Sequence, residues 1–207
     1  GQTQRHADLD AIEKHLEAWD LPRSRRELEA IAKSSPDDPK VLTMQARLAF
    51  YSHDYAGAQA LFARAYEAGD QRPEVEGSKE FMRLTHEATE TLTAHESNHF
   101  IVYLDEALDG ILADYALDTL EKAHSSLAQL LGFKPPSKVR VEILPDKQVF
   151  HTVSTLSPRD IEVIGAIGLC KFNKIMIITP RALARGFRWL DSLAHEYVHF
   201  VIVHLSH

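Results

Sequence analysis

The segment SLAHEYVHFV at positions 192–201 places the strongest limit on how this chain can fold. It contains two histidines four positions apart, His195 and His199, and Glu196 directly follows the first. Positions i and i+4 of an α-helix lie on one face, about one turn apart. The flanking residues are mostly apolar, so the pattern predicts a helix that is buried on most sides and carries one narrow polar stripe.

Two imidazoles in this arrangement can bind a single metal ion. Zinc accepts neutral imidazole nitrogen at about 2.0–2.1 Å, and a catalytic zinc site keeps one position open for water. Glu196 is beside that position and can accept the proton of the water, which the metal acidifies. The motif therefore predicts His195 and His199 as zinc ligands and Glu196 as the general base. The alternative is an amphipathic surface helix whose histidines coincide by chance.

Composition limits the classes of function. The net charge of −7 argues against a nucleic-acid partner, because phosphate binding needs clustered lysine and arginine. The sequence has no uninterrupted apolar run of about eighteen residues, so we predict no membrane-spanning segment. The single cysteine, Cys170, lies in an apolar run, and we interpret it as a packing residue rather than a nucleophile.

The first half of the chain is predicted to be helical. Apolar residues recur at helical spacing up to about residue 72, and turns rich in proline, glycine and aspartate separate the segments. Ser24, with Glu27 three residues later, is predicted to cap the second helix. A longer helix is predicted from about Val75 to His95, with an apolar stripe along one face.

Two helix–turn–helix units of about 34 residues match the period of tetratricopeptide repeats. The second unit carries small and aromatic residues at that family's packing positions: Tyr55, Ala58, Phe62 and Ala65. Residues 5–72 therefore resemble tetratricopeptide repeats, and the resemblance implies stacked helix pairs with a curved surface that binds a peptide or protein partner. The alternative is that these helices serve only as a scaffold for the rest of the chain.

From Asn98 onward the pattern becomes mixed, so we expect an α+β protein with a helical domain at 1–97 and a second domain at 98–207. The second domain is predicted to alternate strands and helices. Its predicted elements are a strand at 99–104, a helix at 106–131, a strand at 139–143 with one solvated face, two short helices, a hairpin turning at Asn173-Lys174, and the His195 helix starting near Gly186.

This order of elements, and the run Ala194-His195-Glu196-Tyr197-Val198-His199, resemble the thermolysin-like zinc metallopeptidases, or gluzincins. The likeness is greater to the peptidase-MA-like domains of bacterial proteins. It implies a small sheet beside the HExxH helix, zinc-dependent hydrolysis of peptide bonds and an extracytoplasmic location. It also implies that a peptide substrate adds as a strand to a sheet edge, for which we choose residues 167–172.

The resemblance is incomplete at the third metal ligand. Gluzincins take that ligand from a glutamate on a later helix, whereas the eight residues after His199 include neither Glu nor Asp. The metzincin pattern fails as well, since Ile202 and Leu205 stand where it needs Gly and His, and His204 and His207 lie off the metal-facing stripe. We therefore expect an inactive fragment of a longer metallopeptidase. The alternative is a non-catalytic interaction module built on a degenerate peptidase domain.

Overall fold

The computed structural model describes residues 2–164, 167–183 and 188–206, without the side chains of residues 2, 3, 5, 6 and 162–164. It divides into two compact units, Gly1–Glu87 and Ala88–His207. Within the described residues there are ten α-helices and one five-stranded mixed sheet. The predicted α+β class is confirmed at this level.

The first unit is built from five helices joined by short turns. They are α1 (Gln2–Glu17), α2 (Leu21–Ser34), α3 (Pro39–Tyr51), α4 (Tyr55–Glu67) and α5 (Pro73–Thr89), whose last residues belong to the second unit. A cluster of buried apolar side chains joins α1, α2 and α3: Leu9, Ile12, Leu16, Leu28, Val41, Met44 and Leu48. The apolar residues that recur at helical spacing in the sequence are therefore the ones that form the core between these three helices.

Aspartate is the N-cap residue of three of these helices. The side chains of Asp20, Asp38 and Asp54 each accept a hydrogen bond from a backbone N–H in the first turn that follows. The prediction that Ser24 caps α2 was wrong. The helix begins at Leu21 with Asp20 as its N-cap, and Pro22 lies in the first turn, where its missing N–H is not needed. Ser24 lies inside the helix, buried, and its hydroxyl donates to the carbonyl of Asp20 at 2.8 Å.

The helix predicted from Val75 to His95 is shorter than expected. It ends at Thr89, and the chain then forms strand β1 (Thr93–Glu96). Threonines stand at positions 89, 91 and 93, where the chain passes from helix to strand. Threonine is β-branched, and β-branched residues favour the extended conformation.

The second unit contains the sheet, in the order β1-β2-β3-β5-β4. After β1 come β2 (Phe100–Leu104), β3 (Val139–Leu144), β4 (Gly168–Lys171) and β5 (Lys174–Ile178). Strands β2, β3 and β5 are parallel, while β1 and β4 pair antiparallel at the two ends. The helices are α6 (Glu106–Asp109), α7 (Leu112–Leu131), α8 (Lys147–Ser154), α9 (Pro158–Ile164) and α10 (Trp189–Leu205), with a 3₁₀ turn at Pro180–Ala182.

Two layers of helices cover the sheet. On one face, the register aligns Phe100 with Val139, and the Phe100 ring packs edge-on against Tyr197 of α10 with ring centres 5.0 Å apart. On the other face, α8 and α9 contribute to a second apolar cluster: Leu144, Phe150, Val153, Ile161, Met176 and Ile178. The sheet is thus buried on both sides, as expected for a sheet with parallel central strands.

Strand β3 differs from its prediction. Its alternation of Arg140 and Glu142 with apolar residues predicted one solvated face, but all six residues are buried. Glu142 forms a buried ion pair with Lys174 of β5, and the Arg140 guanidinium lies 3.6 Å from the centre of the Tyr103 ring. Burial lowers the pKa of Lys174, while its contact with Glu142 acts in the opposite direction.

Two connections differ slightly from those predicted from the sequence. The β4–β5 hairpin turns at Phe172-Asn173, both with positive φ (57° and 59°), rather than at Asn173-Lys174, because Lys174 already pairs inside β5. The helix predicted over 106–131 is divided near Gly110 into α6 and α7.

None of the helices in the described ranges is both long enough and apolar enough to traverse a bilayer.

A buried carboxylate follows α4 in the first unit. The side chain of Asp70 is only 4% exposed. It accepts hydrogen bonds from the Thr43 hydroxyl at 2.7 Å and from two guanidinium nitrogens of Arg72 at 2.6 and 2.7 Å. The bond from Arg72 is the main reason that the pKa of Asp70 is lowered, despite its burial.

We expect Asp70→Asn to destabilise the protein by about 1–3 kcal/mol, because a buried charged hydrogen-bond network is broken. A lowered folded-state pKa means that this contribution is present above the unfolded pKa of about 3.9 and is lost as the pH falls through the folded value. Urea denaturation followed by circular dichroism at pH 7 and at acidic pH measures both effects. Asp37→Asn is the control, since that side chain is 87% exposed, and it should change the stability by less than about 0.5 kcal/mol.

Candidate metal centre

Helix α10 is oriented by its buried side. The indole N–H of Trp189, in the first turn, donates to the carbonyl of Ile178 at the end of β5, at 2.9 Å. Further along the helix, buried residues recur at helical spacing: Leu193, Tyr197, Phe200 and Val201. The predicted helix is therefore present, although the predicted start near Gly186 falls outside the described residues.

The opposite side of α10 carries the two histidines of the motif. His195 and His199 are both exposed, and their Nε2 atoms face each other at 2.9 Å. The two rings are nearly perpendicular, with centres 4.5 Å apart. The fold thus brings both ring nitrogens to one point at the surface of the second unit, where solvent and ligands can reach them.

This geometry fits two ligands of one zinc ion. Two nitrogens held at about 2.0–2.1 Å from a tetrahedral zinc would lie roughly 3.3–3.4 Å apart. The two Nε2 atoms are 2.9 Å apart, a hydrogen-bond distance, so zinc binding would replace that hydrogen bond and open the rings slightly. Within the described part of the chain, no group of three or more His, Cys, Asp or Glu side chains converges in a way that could hold a metal ion. The residues present thus account for two ligands, and the third is unassigned.

Glu196 is half-buried between the histidine stripe and the edge of the sheet. Its side chain packs against β4 at Gly168, where an added Cβ atom would lie 3.4 Å from the carboxylate carbon. Burial raises the pKa of Glu196, and the nearby imidazoles of His199 and His195 act against that rise. The carboxylate therefore lies close to the edge strand and to the two candidate ligands.

Strand β4 approaches Glu196 closely because of a glycine. A Cβ atom added at Gly168 would lie 3.0 Å from the Cγ atom of Glu196. The strand falls within residues 167–172, which the sequence analysis chose as the sheet edge, and it occupies one end of the strand order. Cys170, interpreted as a packing residue, is half-buried in β4. Burial, together with the Glu196 charge, raises the pKa of its thiol, so the thiol is protonated near neutral pH.

A second group of polar side chains lies behind α10, and sequence reasoning did not connect its members. The Tyr197 hydroxyl and the Nδ1 atom of His124 are 2.8 Å apart. The His124 ring stacks on His99 with ring centres 4.0 Å apart, and His99 is hydrogen-bonded to Glu121. The one available signal was the position of His124 on the buried face of α7, four residues after Leu120.

We compared the chain with models of known protein families, with curated proteins and with solved structures, and none of them matched. The functional argument for this chain therefore depends on the geometry of the His195–Glu196–His199 site.

We expect Gly168→Ala to destabilise the protein by about 1–3 kcal/mol, because the new methyl group forces Glu196 or the backbone of β4 to move. Gly77→Ala is the matched control. It lies in helix α5 with nothing within 4 Å of the added Cβ, so it should stabilise the protein by about 0.5–1 kcal/mol. Chemical denaturation of both variants measures the difference. Equal effects at the two glycines would contradict the close packing of β4 on Glu196.

Proposed function

We propose that the second unit is a zinc-dependent hydrolase of peptide bonds, of the gluzincin type and similar to peptidase-MA-like domains. His195 and His199 are zinc ligands in this proposal, and Glu196 is the general base. The observation that supports it most is the approach of the two Nε2 atoms to 2.9 Å on an exposed helix face, with Glu196 next to them.

A bound zinc ion supplies two things to such a reaction, a more acidic water and a polarised carbonyl. The protein contributes the proton acceptor. Glu196 packs against Gly168 of β4, and the burial that raises its pKa also makes it a stronger base than an exposed glutamate. Glu196 can therefore accept the proton of the attacking water and pass it to the leaving amine.

The substrate site is proposed along β4. Within the described sheet, β4 has a strand neighbour on one side only, which is β5. A peptide in extended conformation can add to such an edge through main-chain hydrogen bonds. Because Gly168 lies against Glu196, a peptide bound along β4 would lie beside the base.

For the first unit we propose a tetratricopeptide-like role in binding a protein partner. The residues that carry the resemblance are all buried: Tyr55, Ala58, Phe62 and Ala65. A groove of about 370 Å³ lies among α2, α3 and α4, with Arg25, Glu29 and Gln45 in its lining. We propose this groove as the place where a short segment of the partner binds.

A second candidate function is a non-catalytic interaction module on a degenerate peptidase domain. The observation in its favour is that the described residues supply two metal ligands and not three. This alternative predicts that the full-length natural polypeptide binds no stoichiometric zinc and hydrolyses no peptide. The enzyme proposal predicts one zinc per chain and hydrolysis of peptides.

We expect Glu196→Gln to reduce kcat/KM on a peptide substrate by about 10²–10⁴-fold in the full-length polypeptide, because the proton acceptor is lost. Its zinc content, measured by mass spectrometry of the metal, should remain that of the unaltered protein. Glu96→Gln is the control, since Glu96 is an exposed carboxylate paired with Lys138 at 2.6 Å. Full activity of Glu196→Gln would refute the role of this residue.

A further inference from the structure

We propose that α6 and the start of α7 bind a basic amphipathic helix of a partner protein. The contact surface consists of Leu108, Ile111 and Tyr115, called here the α6–α7 patch, and of the carboxylates around it. This inference goes beyond the proposed function, because none of these residues belongs to the proposed zinc site or to strand β4.

The three residues of the α6–α7 patch lie on one side of a nearly continuous helical path. Although α6 and α7 are separate helices, the backbone between them keeps helical dihedral angles, with φ −52° and ψ −34° at Gly110 and φ −59° and ψ −21° at Ile111. Positions 108, 111 and 115 therefore follow the i, i+3, i+7 spacing. At about 100° per residue, they fall within about 60° of one another around the helix axis.

The α6–α7 patch is exposed and separate from the core. Leu108, Ile111 and Tyr115 are 57%, 78% and 61% exposed, which leaves on the order of 400 Å² of their surface in contact with water. The buried side of α7, which includes Ala116 and Leu120, is centred roughly 130° away around the helix. A contiguous apolar patch of this size is typical of an interaction surface.

Ile111 has no role in the local structure that favours an isoleucine. It is the N-cap of α7, where Ser, Thr, Asp or Asn is preferred and isoleucine is among the poorest residues. Its side chain makes no cap hydrogen bond, whereas Asp105 caps α6 and Asp146 caps α8 in the same unit. Neither helix capping nor core packing accounts for an exposed isoleucine here, and contact with a partner does.

The charges around the α6–α7 patch are negative. Residues 105–118 contain five carboxylates and no lysine or arginine. Asp114 and Asp118 lie within about 60° of Ile111 around the helix. Three of the five carboxylates contact basic side chains: Asp118 with Lys122, Asp109 with Arg181, and Glu106 with His95. Because Lys122 and Arg181 supply two positive charges against five negative ones, the surroundings of the patch remain negative.

This charge selects the kind of partner. In a symmetric dimer through the α6–α7 patch, the same carboxylates of two copies would face each other and repel. Anionic membranes and nucleic acids would be repelled for the same reason. A helix with an apolar stripe flanked by lysine or arginine matches both the apolar side chains and the carboxylates.

The test uses a defined peptide, a fluorescent helix of about 18 leucine and lysine residues with the leucines along one side. Its affinity for the 207-residue chain is measured by fluorescence anisotropy. We expect Ile111→Ser and Tyr115→Ser each to weaken binding at least about 10-fold, because buried apolar and aromatic side chains dominate such contacts. A peptide with glutamate in place of lysine should bind at least about 10-fold more weakly, and salt should weaken the lysine peptide.

Two matched controls separate the α6–α7 patch from general effects. Leu130 is 79% exposed at the other end of α7, so Leu130→Ser removes a similar side chain from the same helix and should leave the affinity unchanged. Asp114→Asn should weaken binding about 2–5-fold, whereas Asp37→Asn, in the first unit, should not. Because the replaced apolar side chains are exposed, all the serine variants should keep the melting temperature within about 2 °C.

The location of binding is read from amide chemical shifts of the labelled protein during titration with the lysine peptide. Shifts concentrated at residues 105–118, with the losses expected for Ile111→Ser and Tyr115→Ser, support the proposal. It is overturned if the lysine peptide does not bind, if the glutamate peptide binds equally well, or if the shifts lie elsewhere. It is also overturned if light scattering shows a dimer that Ile111→Ser converts to a monomer, since a second copy would then cover the patch. None of these outcomes bears on the zinc proposal, because the assay contains no metal.

Discussion

The burial of one side of α10 is the constraint on which the site depends. One side of this helix is buried against the sheet and α7, and Trp189 and Tyr197 fix that side through directional hydrogen bonds. With that side buried, His195 and His199 lie on the exposed side, and their one-turn spacing lets their rings face each other. Glu196, the next residue along the helix, packs against Gly168 of β4.

Much of this arrangement was predictable from short-range patterns. The spacing of His195 and His199, and the apolar flanks around them, predict both the helix and its polar side, because helical periodicity depends only on neighbouring residues. The strands of the second unit and the helices of the first were visible for the same reason. Errors occurred where two residues were both possible helix caps. Ser24 and Asp20 can each cap a helix, and Asp20 is the residue that caps α2, with a proline in the first turn that follows.

Pairings between distant residues were not predictable. Arg140 and Glu142 gave the pattern of a half-exposed strand, and only the fold reveals that Lys174 neutralises Glu142 inside the sheet. Likewise, His124 and Tyr197 are 73 positions apart in the sequence, so nothing in either segment identifies the other as its partner. Polar residues on otherwise apolar faces indicate that a partner exists, but the topology decides which one.

The central claim is that His195 and His199 share one zinc ion. Anomalous diffraction at the zinc edge, from crystals of the protein loaded with one equivalent of zinc, tests it most directly. The account predicts one strong peak within about 2.0–2.1 Å of both Nε2 atoms, on the exposed side of α10. A zinc peak at another site, with no peak between His195 and His199, would contradict the account.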